Sequence, residues 1–217
     1  MSVLNENQLL GASGAGGDYE IEQSLRFNDD DGSYLSRTPS VAGNRKTWTF
    51  SGWVKLGDYT GNLMLFSAGT TSNDRSGFSL YGPNGSLYFS NALAGVAANY
   101  YQSSRVLRDT SAWYHIVCAV DTTQATASNR IKVYINNELT TNLLSTIPQN
   151  NDTYLNATTI QEIGRRSDAA TSYLDGYLAE VNFIDGQALT PDSFGETGTY
   201  GEWKPIAYAG TYGTNGF

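Results

Sequence analysis

Residues Trp113 to Val117 form a run that is apolar on both faces and rich in β-branched residues, the pattern of a strand covered on both sides. After a polar gap, Ile131, Val133 and Ile135 alternate with Lys132 and Tyr134. That run ends in Asn136-Asn137, a pair that tolerates the left-handed backbone of a tight hairpin. Together the two runs predict a strand that crosses a core, loops out and returns beside itself, as in an antiparallel sandwich.

The same pattern recurs along the chain. Ser24 to Phe27 alternates into the acidic turn Asn28-Asp29-Asp30-Asp31-Gly32, and Ser33 to Ser36 follows. Over Thr47 to Lys55, Trp48, Phe50, Gly52 and Val54 share one face, and Thr49, Ser51 and Trp53 share the other, with Trp53 placed under a loop or strap. Leu63 to Phe66 is apolar on both faces. Phe78 and Leu80 are set to pair with Leu87 and Phe89 across the turn Gly82-Pro83-Asn84-Gly85. From Asn91 onward, through Tyr100-Tyr101, the pattern predicts a less regular region, and Thr140 to Thr158 reads as loop. Thr159 to Gly164 reads as a short strand, and Tyr177 to Ile184 as a clear one with Tyr177, Ala179, Val181 and Phe183 on one face. Thr190 to Phe194 reads as a helical turn with Thr190 as N-cap and Pro191 first.

These elements divide the chain into an N-terminal arm (1–22), a sandwich (23–197) and an extended C-terminal strap (198–217). The arm carries Val3, Leu4, Leu9 and Leu10 ahead of a glycine-rich joint. It is either a disordered tail or a segment that docks those four residues on a neighbouring protein.

Composition narrows the function. The 217 residues include 23 Gly and 15 Tyr, which suits one all-β domain of many short strands. A net charge of −8 with no basic stripe argues against nucleic-acid binding. No apolar run is long enough for a membrane span, and the first residues lack a signal peptide's basic start and apolar stretch. The lone cysteine, Cys118, forms no intrachain disulfide; it reads as a small buried hydrophobe in a protein made in a reducing cytoplasm.

The runs Trp113–Val117, Ile131–Asn137, Leu174–Val181 and Gln187–Thr190, with Ser24–Phe27 and Trp48–Lys55, resemble the laminin-G-like, concanavalin A-like jelly roll over roughly residues 23–195. The segments Asn5–Gly11 and Gly201–Ile206 resemble a subset of that family found in tail fibres and other virion surface proteins of marine bacteriophages. The resemblance implies an all-β sandwich that acts on the virion. One implied role is a tail-fibre or appendage module that binds a host-surface glycan; the alternative is a capsid decoration protein that braces the head. Its implied partners are other virion proteins and further copies of itself.

Enzymes of this fold that cleave polysaccharides place acidic residues at every second position of one strand, so that two carboxylates share acid and nucleophile roles. No strand of the sandwich has that pattern: Glu20 and Glu22 have the spacing but lie outside the sandwich, and Glu180 and Asp185 are five apart and face opposite ways on a regular strand. His115 is the only histidine, so a multi-histidine zinc site is excluded. These absences favour a non-enzymatic protein over a hydrolase. Asp29, Asp30 and Asp31 are candidate calcium ligands, with Asp168 and Asp175 as further partners; the competing reading is a solvated turn. For a glycan, the candidates are the loop tyrosines Tyr59, Tyr100, Tyr101, Tyr154 and Tyr173, each near Asn, Asp or Ser.

Overall fold

The computed structural model describes residues 19–58, 61–82 and 84–217. Val3, Leu4, Leu9, Leu10 and Tyr59 lie outside the described residues. Two six-stranded antiparallel sheets pack face to face. The back sheet runs, in spatial order, β1 (Leu25–Phe27), β12 (Gly176–Asp185), β3 (Thr47–Leu56), β8 (Tyr114–Asp121), β9 (Ile131–Ile135) and β10 (Glu138–Leu139). The front sheet runs β2 (Leu35–Arg37), β11 (Gln161–Ile163), β4 (Leu63–Thr71), β5 (Asp74–Tyr81), β6 (Ser86–Leu93) and β7 (Val96–Val106). A third pair, β13 (Gly195–Thr197) with β14 (Trp203–Pro205), lies in the C-terminal part, so the expected strap begins with a small hairpin.

Between the sheets sits a core of aromatic and aliphatic rows, including Trp48, Phe50, Phe66, Phe78, Phe89 and Phe183, each no more than 1% exposed. Burial of each such ring contributes roughly 2–3 kcal/mol. Trp48 stays buried without an orphaned donor because its indole N–H bonds Thr153 Oγ1 at 3.0 Å.

Local chemistry sets the hairpins. Asn136 and Asn137 take φ of 49° and 67°, which reverses the chain so that Ile135 pairs with Glu138. Phe78 pairs with Phe89 and Leu80 with Leu87, the register expected across the Gly82–Gly85 turn. Two expectations are corrected. The region after Asn91 is a hairpin: Ala94 and Gly95 turn at φ 51° and 81°, and β7 is the longest strand of the front sheet. On β12 a bulge falls between Ala179 and Asn182, with Glu180 at φ 48°. The extra residue turns Leu178 and Phe183 to the core, whereas Tyr177 and Ala179 stay on the back. Thr190 does precede a short 3₁₀ turn (Pro191–Ser193), but its hydroxyl makes no capping bond.

The C-terminal strap explains why β8 is apolar on both faces. Val117, Ile184 and Phe194 form a second cluster behind the back sheet, covered by Leu189, Tyr208 and Tyr212. Further along, Trp203 stacks on His115, which stacks on Trp53. The strap then re-enters the sandwich, where Phe217 exchanges both backbone hydrogen bonds with Phe183. Cys118, on the inner face of β8, is fully buried, and burial pushes its thiol well above the ordinary range. The native protein is therefore expected to resist iodoacetamide, with full labelling only in denaturant; fast labelling of the folded chain would contradict this placement.

Candidate functional site

The outer face of the front sheet has an unusual composition, set by strand register. Ser36, Glu162, Ser67, Gly77, Ser90 and Asn99 lie opposite one another in a line across all six strands. The adjacent line, Ile163, Phe66, Phe78, Phe89 and Tyr101, points inward and is buried. One face thus carries small polar groups where the other carries rings. Gly77 is covered by Met64, whose sulfur would lie only 3.1 Å from a Cβ there.

One end of the open area holds an aromatic pair. Tyr81 and Tyr88, on β5 and β6, have ring centroids 4.9 Å apart; Tyr81 is 40% exposed and Tyr88 half-buried. Burial and the neighbouring Tyr81 raise the Tyr88 hydroxyl above its usual range, so it remains a neutral donor. Ser79, Ser90 and Gln102 lie half-buried around the pair and add hydroxyl and amide groups. From Tyr81 to Arg75 the face extends for six residue steps along β5, about 20 Å.

The other end is walled by the loop that follows β11. Ser67 Oγ donates to the Arg165 carbonyl (2.8 Å) and accepts from the Ser167 N–H (3.0 Å), which ties the loop down on β4. Within it, Arg165 holds the buried Glu162 carboxylate through two bonds of 2.7 and 2.6 Å and lies 3.5 Å above the Tyr34 ring. Arg166 grips Asp168 in the same bidentate way, at 2.7 and 2.6 Å. Burial opposes the charge on Asp168, but the Arg166 hydrogen bonds and the charges of Arg166 and Arg75 hold its carboxyl below the ordinary range.

Few of the candidates named from sequence lie on this face. Tyr101 is corrected outright: it is 1% exposed in the core, bonded through its hydroxyl to Thr140, and presents nothing to solvent. Tyr100 is half-buried and packs on the core. Tyr154 bonds Asp74 at 2.7 Å and lies under Arg45, while Tyr173 packs beside Gly32 and hydrogen-bonds Arg165. The residues that line the face were missed because serine and tyrosine are ordinary in strands. The available signal was the outward set Arg75, Gly77, Ser79, Tyr81, with Tyr88 and Ser90: small and aromatic groups where exposed strands usually carry charge.

The Asn28–Gly32 turn is closed by its own hydrogen bonds, with Asn28 Nδ2 donating to Asp31 and the Asp30 N–H to Asn28. Asp175 does lie near this turn: burial, then the charges of Asp29 and Asp58, raise its carboxyl. Asp168 is committed to Arg166 and Arg75 instead. Among the described residues no group of three acidic, histidine or cysteine side chains is placed to hold a metal ion.

His115 and Ser51 are 2.9 Å apart, which suggests a nucleophile and its base. Geometry runs the other way. The Trp203 indole, a donor only, bonds His115 Nδ1 at 3.0 Å, so Nε2 carries the proton and donates to Ser51. Both side chains are buried, and burial pulls the imidazole pKa down to about 4.

An apolar cleft of about 370 Å³ opens elsewhere, between the free edges of β1 and β2, lined mainly by Leu25, Phe27, Leu35, Ile163, Leu178 and Phe217. Gln23, Ser24 and Glu180 add polar groups to its lining.

Two twisted antiparallel sheets with a polar, aromatic-flanked outer face define a lectin-like jelly roll. The chain belongs to the concanavalin A-like lectin/glucanases superfamily, whose laminin-G-type family model matches residues 28–193. No curated protein matches it in sequence. Among solved structures it is similar to a heptameric SAP-like pentraxin from Limulus polyphemus, with TM-score 0.55, 16% identity and 77% of each chain covered. Mouse laminin α1 domains LG4-5 give TM-score 0.55 at 12% identity, covering 88% of this chain and 47% of that one. Tailspike protein 2 of bacteriophage CBA120, in its enzymatically active domain, gives TM-score 0.54 at 10% identity, covering 79% and 26%. At these identities the likeness is one of fold. Among the described residues no helix is long and apolar enough to cross a membrane.

Proposed function

We propose that the open front face over β5, β6 and β7 binds a glycan, and that the protein is a non-enzymatic recognition module. The observation that carries this reading is the Tyr81–Tyr88 pair beside the half-buried hydroxyls of Ser79 and Ser90. A sugar ring offers a C–H face to an aromatic ring and hydroxyls to neighbouring hydroxyl and amide groups, and this surface supplies both. The carboxylates nearest the face support a binding rather than a hydrolytic role, since Glu162 and Asp168 are each held in a bidentate arginine pair. Neither is left to exchange protons with a glycosidic oxygen.

The module acts on a phage virion, as part of a tail fibre or similar appendage that meets host envelope polysaccharide. This rests on the resemblance of Asn5–Gly11 and Gly201–Ile206 to phage surface proteins, and it is compatible with a tailspike that accommodates the same sandwich. A shallow face gives weak binding to one sugar, and repetition on a particle raises the avidity.

Affinity electrophoresis against a panel of lipopolysaccharides and capsular polysaccharides tests the reading. At least one polysaccharide should retard the wild type, and Tyr88→Ala should weaken that retardation by about tenfold, the loss of one ring contact, with unchanged circular dichroism. No retardation by any member, or equal retardation of the variant, would overturn it. Antibody labelling of purified particles tests the location: label on the tail agrees, and label confined to the head would assign the chain to shell decoration.

A further inference from the structure

Resting on the glycan reading above, the charge balance of the same face narrows the ligand. Arg75 projects outward from β5, on the same side as Gly77 and Ser79. Its guanidinium is poorly satisfied. Nη1 makes one long bond to Ser90 Oγ at 3.3 Å. Nε faces Asp168 Oδ2 at 3.5 Å, outside hydrogen-bond reach, and has no hydrogen-bond partner. Asp168 is already gripped at both oxygens by Arg166. Two guanidiniums therefore share one carboxylate, which leaves one positive charge in excess. The other local pair, Arg165 with Glu162, is self-compensating. In a chain of net charge −8, a surplus cation held beside a polar sheet face is a specific feature. Burial and the nearby Arg166 lower the Arg75 pKa, the direction expected where a further anion is needed.

We infer that the glycan bound by the front face is acidic, and that Arg75 pairs with its anionic group while the Tyr81–Tyr88 end takes a neutral part of the same chain. The Arg75 side chain is 19% exposed and held by one long bond from Nη1, and a planar guanidinium matches carboxylate or sulfate oxygens. Ser90, already bonded to Arg75, continues the polar line toward the aromatic pair.

The test compares tetragalacturonate, its carboxyl-reduced neutral counterpart and a sulfated galactan tetrasaccharide by calorimetry at low and high salt. The wild type should bind at least one acidic probe about tenfold or more tightly than the neutral one, with the preference shrinking as salt rises. Arg75→Met should erase the preference without changing the melting curve, and Arg75→Lys should retain part of it. Whichever acidic probe binds better identifies carboxylate or sulfate as the anion. Equal binding of acidic and neutral probes, or a preference that survives in Arg75→Met, would overturn the inference and leave glycan binding standing. Binding of none of the probes, in a protein that also ignores the polysaccharide panel, would remove both.

Discussion

Replacing Asp185 by alanine should lower the unfolding free energy by about 4 kcal/mol. Asp185 ends β12 and is 7% exposed, yet it serves three chain segments at once. Oδ1 accepts from the Asn44 N–H at 2.8 Å and from Asn156 Nδ2 at 2.6 Å, and Oδ2 accepts from the Asn215 N–H at 3.1 Å. Asn215 in turn donates to Asn156 Oδ1 and the Val41 carbonyl, each at 2.9 Å. Alanine would leave buried donors from three segments unpaired, each at a cost of about 1–3 kcal/mol, and would release the strap where it re-enters the sandwich. Gly43→Ala attacks the same knot sterically, since a Cβ there would lie 2.2 Å from Asp185 Oδ2. In urea both variants should show a lower midpoint at an unchanged slope. A midpoint within experimental error of the wild type would show that this network does not hold the strap.

A second large effect concerns acidity. The folded-state pKa of His115, about 4, lies below its ordinary value of 6.5 because the ring is buried as a neutral bridge between Ser51 and Trp203. Below pH 6.5 the unfolded chain takes up a proton that the folded chain refuses until about pH 4. The contribution is therefore fully present above pH 6.5, falls as the pH drops toward 4, and is flat below that. The fall from 6.5 to about 4 corresponds to a loss on the order of 3 kcal/mol. Urea midpoints of wild type and His115→Gln between pH 7.5 and 4 isolate this share from that of the carboxylates. The wild type should lose more stability than the variant over that interval; parallel curves would contradict the buried neutral bridge.

The fold was legible because its main signals are local and repeated. Asn136-Asn137 and Gly82–Gly85 specify tight reversals, and the alternation through Thr47–Lys55 separates a core row from a row under the strap. The elements that the local pattern does not show involve irregular pairing. β7 carries bulges, so Tyr100 and Tyr101 break the period-two pattern, and its order comes from pairing with β6 and from Asn142 holding the Tyr100 carbonyl. The bulge on β12 likewise inverts the alternation after Ala179. The candidate site was less legible than the fold. Of the tyrosines expected in loops, Tyr101 is core and Tyr154 is engaged with Asp74. The polar line on the front sheet depends on register between strands far apart in sequence, such as Glu162 opposite Ser67, which no single segment encodes.

The most direct test of the account is amide chemical-shift mapping during titration with an oligosaccharide cut from a polysaccharide that retards the protein. Shifts concentrated at Gly77, Ser79, Tyr88, Ser90 and Gln102, with little change at Asp29–Asp31 or Tyr154, are predicted. Shifts that cluster at those rim positions and spare the front sheet would contradict it.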